Sequence, residues 1–217
     1  VTKFLYWIKK NQYKKISEID SEKKLESLRK QNKNYLFPSF STISATGKNG
    51  SIIHYRASNK TCREIKRNDL YLCDSGGQYN YGTTDVTRTI SFKEQPKKIK
   101  DTFTRVLKGH IAVATANISK QKIGSNIDKL ARKYLKKVKK DFSHGTGHGV
   151  GYFLNVHEGP QSISKRNNVK LKEGMILSNE PGFYLQGKYG IRIENLVYIK
   201  KEKKNLVFKN LTLAPID

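Results

Sequence analysis

Cysteine is almost absent from this chain: Cys62 and Cys73 are the only two in 217 residues. They are too few for a disulfide framework and are not spaced as a CxxC pair that would hold zinc or exchange electrons, so both are expected as reduced thiols. No run of about eighteen apolar residues occurs, which excludes an apolar transmembrane helix. The opening residues 1–8 are too short, and too soon followed by Lys9 and Lys10, to be a bilayer span or an ordinary signal peptide. A cytoplasmic location is the expectation. Acidic residues are scarce as well: 18 Asp and Glu against 43 Lys and Arg give a formal net charge of +25. That excess raises nucleic acid as a partner. The lysines are scattered, however, in pairs such as Lys23-Lys24, Lys97-Lys98, Lys136-Lys137, Lys139-Lys140 and Lys200-Lys201. Such scatter is the pattern of a solvated surface, from which only non-specific, salt-sensitive adhesion to polyanions is expected.

What is present suffices for a core. The chain is 36% hydrophobic and 10% aromatic, with no linker, repeat or low-complexity tract, and reads as one domain over residues 1–217. Leu25 and Leu28 predict a helix over residues 17–32, capped by Ser17 or Asp20. Residues 51–55, 70–74 and 85–92 read as strands, with Ser75-Gly-Gly77 as a reversing turn that brings Asp74 and Asp85 together. Apolar residues recur at three and four positions from Ile99 to Ala114 and from Ile127 to Val138, predicting two core-facing helices. Residues 175–180, 182–185, 190–199 and 205–208 read as strands. The chain opens inside an amphipathic helix and stops just after a strand, as a piece cut from a longer polypeptide would.

Metal-type ligands fall in one order on these segments: Asp74, Asp85, His148, Glu180 and Glu194. Four carboxylates gathered at one point would repel one another and protonate unless comparable positive charge lay among them. Two divalent cations ~3.5–4 Å apart supply it and activate a shared water, which points to metal-assisted hydrolysis. His144 and His148 have the spacing of a zinc-binding helix, but Gly145, Gly147, Gly149 and Gly151 argue against a helix there. In a looped segment those glycines let the backbone pass close to a metal or substrate, with one histidine free to ligate and the other to meet the substrate. Glu180 stands at the end of an apolar strand, where burial needs a partner. Alternation puts Arg192 beside Glu194, to orient it or to meet an anionic part of the substrate, and Thr87 beside Asp85, able to hydrogen-bond a ligand carboxylate. Only His110 reads as an ordinary helix histidine.

Five segments carry a resemblance that covers nearly the whole chain. They are Ser51-Ile-Ile-His-Tyr55; Asp74-Ser-Gly-Gly with Tyr79-x-Tyr-Gly-Thr-Thr-Asp85-Val-Thr-Arg-Thr; His144-Gly-Thr-Gly-His-Gly-Val-Gly with Val156-His-Glu-Gly-Pro160; Asn179-Glu-Pro-Gly-Phe-Tyr184; and Gly190-Ile-Arg-Ile-Glu-Asn195. The chain resembles the catalytic domain of the aminopeptidase P (Xaa-Pro aminopeptidase) group, which shares its fold with methionine aminopeptidase and prolidase. The resemblance implies an α+β pita-bread fold, with mixed or antiparallel sheets and covering helices in two pseudo-symmetric halves. It also implies two divalent ions, manganese first and zinc or cobalt as alternatives. Asp74, Asp85, His148, Glu180 and Glu194 would be the ligands, with Asp85 and Glu194 bridging and Glu180 in the general acid/base position. A metal-activated hydroxide would attack the scissile carbonyl. His54, His144 and His157 would bind substrate, stabilise the oxyanion or protonate the departing proline nitrogen. Peptides with proline second are the implied substrates, and a homodimer the implied assembly of a full-length protein. Xaa-Pro dipeptides, initiator methionine, or a non-catalytic module binding peptides or nucleic acid are the alternatives.

Overall fold

Two helices, α1 (Thr2–Lys10) and α2 (Glu18–Arg29), open the chain in the computed structural model, which describes residues 1–216. Ser17 caps α2: its hydroxyl accepts the backbone N–H of Asp20, while the Asp20 carboxylate accepts the N–H of Ser17 at 3.0 Å. Both predicted capping residues therefore act, one at each end of a reciprocal pair worth about 1 kcal/mol. Phe4, Leu5 and Ile8 of α1 and Leu25 of α2 pack with Tyr71 and Ile90 into one apolar cluster.

Six short strands follow: β1 (Tyr35–Pro38), β2 (Ile43–Thr46), β3 (Leu70–Ser75), β4 (Gly77–Tyr79), β5 (Gly82–Thr83) and β6 (Val86–Ser91). Strands β2, β3 and β6 form one antiparallel sheet, in which Asp74 pairs with Thr87 and Ser75 with Val86. Asp74 and Asp85 thus stand at the same end of the β3–β6 pair. The connection differs from the predicted turn at Ser75-Gly-Gly77. The chain runs on through β4 and reverses between β4 and β5, where Tyr79 pairs with Gly82. Gly76 is the passing place, since a Cβ there would meet the Thr84 carbonyl oxygen at 2.0 Å.

Residues 51–55 are not the strand that their apolar run predicts. A short 3-10 turn occupies Gly47–Ser51, and the Ile52 and Tyr55 amides bond back to Asn49 and Ile52. The buried carboxylate of Glu18 sets this path. It accepts from the Thr46 and Arg63 backbone amides, the Asn49 side chain and the Tyr55 hydroxyl, tying the loop before and after His54 to the start of α2. The true strand, β2, lies upstream in a Ser- and Thr-containing stretch that lacks an apolar signature.

Helices α3 (Lys97–Ala114), α4 (Ile118–Gln121) and α5 (Gly124–Lys136) cover the second half. Val106, Ile127 and Ala131 are buried in the largest apolar cluster as their spacing predicts, with Ile99, Phe103, Leu107 and Leu130 packed against it. Val113 and Leu135, outside that predicted pattern, are buried there too, whereas Ile111 and Val138, expected inward, are 49% and 38% exposed. Beyond them come β7 (Gly147–His148), β8 (Ser162–Ile163), β9 (Ile176–Asn179), β10 (Gly182–Leu185), β11 (Tyr189–Arg192), β12 (Asn195–Glu202) and β13 (Asn205–Asn210). The single strand predicted over residues 190–199 is two. β11 pairs with β10 and β12 with β9 and β13, so the chain changes partners at Ile193 and Glu194. There the Ile193 amide bonds to Pro181 and the Glu194 amide to Thr87. Every pairing between these strands is antiparallel. Among the described residues no helix is long and apolar enough to cross a membrane.

Candidate metal centre

The ends of four strands converge on a cavity of about 260 Å³ whose lining includes Asp74, Asp85, His148, Glu180 and Glu194. Asp74 comes from β3 and Asp85 from the residue before β6. Glu180 follows β9, and Glu194 sits at the β11–β12 junction. Ligand-capable atoms of Asp85, His148 and Glu194 all lie within 4.8 Å of one another. Nε2 of His148 is 3.4 Å from both Asp85 Oδ2 and Glu180 Oε1. Asp74 Oδ2 accepts from Arg192 at 2.6 Å. This corrects one expectation: Arg192 orients Asp74, not Glu194, and it also donates to the Tyr184 hydroxyl at 2.6 Å and to Thr87 at 3.2 Å.

These side chains fit divalent cations. Burial pushes the Asp85 and Glu194 carboxyls well above their usual range, and the neighbouring carboxylates push the same way. Burial also raises Glu180, against the opposing pull of His148 and Arg192. Oδ1 of both Asp74 and Asp85 is buried without a hydrogen-bond partner, a state that costs about 1–3 kcal/mol per group and that a cation would relieve. The His148 ring is oriented for the same purpose: its Nδ1 lies 2.8 Å from the Gly149 carbonyl oxygen, which turns Nε2 towards the carboxylates of Asp85 and Glu180.

The glycine-rich segment is extended where it carries His148, as expected. β7 passes so close to β9 that a Cβ on Gly147 would meet the Ser178 carbonyl oxygen at 2.0 Å. Ser178 bonds both sides of the contact, donating to Glu180 Oε1 and accepting from the His148 amide, each at 2.9 Å. The Glu180 amide in turn donates to the Thr146 carbonyl.

His144 lies deeper along the cavity. Its Nε2 is 2.9 Å from the Tyr184 hydroxyl and its Nδ1 2.6 Å from the Gly145 carbonyl, so Nδ1–H donates and Nε2 accepts. Burial, with the Arg192 charge adding to it, holds this imidazole neutral, down to about 3. His157 is exposed and packs edge-on against His148 with ring centroids 4.2 Å apart. Its pKa is lowered by burial and then by His148. His54 is exposed at the cavity wall. All eight residues proposed from sequence for the site line this one cavity.

Sequence reasoning missed the supports. Ser178 had a signal, the same two-residue spacing from Glu180 that Thr87 has from Asp85. Asp128 and Arg132 had another, an acid and a base four apart on the apolar face of α5. Arg132 bonds Asp128 at 2.7 Å, Asp141 at 2.7 Å and the Phe142 and His144 carbonyls at 2.6 and 2.7 Å, while Asp128 accepts from Thr146. Tyr184 carried no separable signal.

Thr87 donates to Glu194 Oε2 at 2.7 Å, as its spacing suggested. Thr87→Val keeps the volume and removes this donor, so metal affinity is expected to fall about 10- to 100-fold. Metal titration of the variant beside the parent checks this. His110 is buried in α3, with Nδ1 3.1 Å from the Asn179 carbonyl and its own carbonyl accepting from Asn179. It is a helix histidine, as read, but one that braces the strand leading to Glu180. Burial, then Arg88, lowers it from 6.5 to about 4. The folded chain therefore holds it neutral, and the stability this confers is full above pH 6.5 and lost as pH falls towards 4. One such group contributes about 3 kcal/mol. Denaturation midpoints measured across that window should fall less steeply for His110→Asn than for the parent.

Comparison with known proteins places these observations. Antiparallel sheets lie under covering helices, and carboxylates and a histidine converge on one cavity as a candidate metal centre. Residues 1–201 match the model of metallopeptidase family M24, and the chain belongs to that family. It is similar to proteins named probable Xaa-Pro aminopeptidase P: 46% identical over 230 aligned positions to that of Coprinopsis cinerea, and 49% over 212 to that of Laccaria bicolor. All of this chain and 37% of the first relative are covered, 93% and 33% for the second, so the chain spans about a third of their length. Among solved structures it is similar to X-prolyl aminopeptidase from Caenorhabditis elegans, described as a cytosolic enzyme with a di-nuclear active site. The TM-score is 0.93 at 42% identity, over 99% of this chain and 37% of that one. Prolidase from Pyrococcus furiosus matches with a TM-score of 0.82 at 33% identity, over 93% and 57%. The fold is the expected α+β pita-bread fold.

Proposed function

We propose that this chain is the catalytic domain of a metal-dependent aminopeptidase that hydrolyses the bond between an N-terminal residue and a following proline. The observation that carries the reading is the set of buried carboxylates, raised by burial and by one another, gathered around Nε2 of His148. The relatives' names supply the substrate class. Asp74, Asp85, His148, Glu180 and Glu194 would hold two divalent cations, manganese before zinc or cobalt. When bound, such ions acidify a water towards neutrality and polarise a carbonyl oxygen.

The protein's own residues supply the rest. Glu180 Oε1, held by Ser178, would act as the general base and acid, taking up a proton at the reacting centre and passing it on. His54, His144 and His157 line the substrate's path. His144 accepts a hydrogen bond from Tyr184 through Nε2, and exposed His157 is free to meet the leaving proline nitrogen, which departs only once protonated. A cytosolic location and a homodimeric whole protein belong to the same reading, with polyanion contact limited to charge.

The test is release of the first residue from an Xaa-Pro-Xaa peptide with added manganese, beside an Xaa-Ala-Xaa peptide, an Xaa-Pro dipeptide and a chelated sample. Chelator-sensitive cleavage confined to proline peptides supports the reading. Cleavage of the dipeptide alone transfers the chain to prolidase activity, and metal binding without any cleavage overturns catalysis by this chain.

A further inference from the structure

Two arginines line the catalytic cavity, and their situations are opposite. Arg192 is buried and its charge is matched by Asp74 at 2.6 Å. Arg56 is exposed, and among the described residues its one hydrogen bond is a long 3.4 Å contact to the carbonyl of its own neighbour, Tyr55. Glu22 feels the Arg56 charge without forming an ion pair with it. A guanidinium presents a rigid fork of donors suited to a carboxylate, so Arg56 offers the cavity an uncommitted bidentate site.

The position of that site is fixed by the fold. Glu18 anchors Tyr55 and Asn49, so the loop bearing His54 and Arg56 is held against the cavity. An enzyme that removes a single N-terminal residue must seat the scissile bond beside the carboxylates. The remainder of the peptide then extends over the rest of the lining, to which Arg56 belongs. Ile43, Ile53 and Phe40 add an apolar surface to that lining, suited to a proline ring.

We propose that Arg56 is a specificity residue that binds a carboxylate on the C-terminal side of the proline. This rests on the aminopeptidase reading above. The carboxylate has two sources: the terminal carboxyl of a short peptide, or an Asp or Glu side chain just beyond the proline. Arg56 therefore biases the enzyme towards tripeptides and towards acidic third residues.

The experiment compares Ala-Pro-Ala with its C-terminal amide, and Ala-Pro-Asp amide with Ala-Pro-Asn amide, in the parent, Arg56→Ala and Arg56→Glu. The first pair reads the terminal carboxyl and the second the side chain. A KM about fivefold lower for the carboxylate member of either pair is expected in the parent, since an ion pair at an open site is worth little more. That preference should vanish in Arg56→Ala, reverse in Arg56→Glu and weaken with added salt, while kcat changes little. Lys48→Ala, exposed and outside the cavity, should keep the parent's preference. Calorimetric binding of the uncleaved products Pro-Ala and Pro-Ala amide to the same proteins reads the site without turnover. Equal KM or affinity for acid and amide forms in the parent, or a preference that survives Arg56→Ala, overturns the proposal while leaving the aminopeptidase reading intact. Loss of all hydrolysis with Arg56-dependent product binding retained would count against the aminopeptidase reading alone.

Discussion

Asp85→Ala is expected to abolish hydrolysis and bound metal together while making the metal-free protein more stable, not less. The two effects share a cause. Burial, and then Glu194, Asp74 and Glu180 around it, hold the Asp85 carboxyl well above its ordinary range, and its Oδ1 has no partner among the described residues. A carboxylate in that position costs folding free energy unless a cation offsets it. Removing it relieves that cost but takes away an oxygen from the group formed with His148 and Glu194. The fall in kcat/KM should be at least on the order of a thousandfold, above the loss from one misplaced oxyanion donor. Metal content by mass spectrometry and denaturation in chelator check the two halves. Glu180→Gln is the companion: turnover should fall comparably while metal is better retained, because the amide keeps an oxygen but takes up no proton. Normal turnover in either variant would remove the site assignment.

The second large effect is expected at Arg132, which touches no substrate. Its guanidinium is 2% exposed and joins Asp128, Asp141 and the carbonyls of Phe142 and His144, with the Phe142 ring stacked 3.8 Å from its carbon. Arg132→Ala strands the buried Asp128 carboxylate and frees both carbonyls, so a loss of about 3–5 kcal/mol is expected. Arg132→Lys restores charge but not the fork, and should recover only part of it. Chemical denaturation of the three proteins measures this. Where the alanine variant still folds at low temperature, its KM should rise, since the released backbone is that of His144.

How much of this was legible in the sequence depended on how local the cause was. Helices α2, α3 and α5 announced themselves because an apolar stripe and a cap act within a few residues. All eight site residues were legible because carboxylates and histidines at strand ends and in glycine-rich segments are costly without a purpose. Residues 51–55 misled because their path is dictated by Glu18, more than thirty positions away, and an isolated apolar run carries no trace of that anchor. The break at Ile193–Glu194 was hidden for the same reason. Alternation runs on from Ile191 to Glu194, up to the point where the partner changes from β10 to β9. Arg192 was placed on the right face but assigned the wrong carboxylate, because strand spacing gives a face and not the neighbour across the sheet.

The Glu194 junction also bears on the order of assembly. Thr87 and Glu194 meet across 107 positions of chain, and the two sheets that supply the carboxylates share no strand. Each sheet can form from contacts within its own half, but the cavity exists only once both have docked. Cations held across that seam therefore act as a latch thrown after folding rather than as a template for it. Added metal should leave the refolding rate nearly unchanged and slow unfolding, lengthening the lifetime of the native chain.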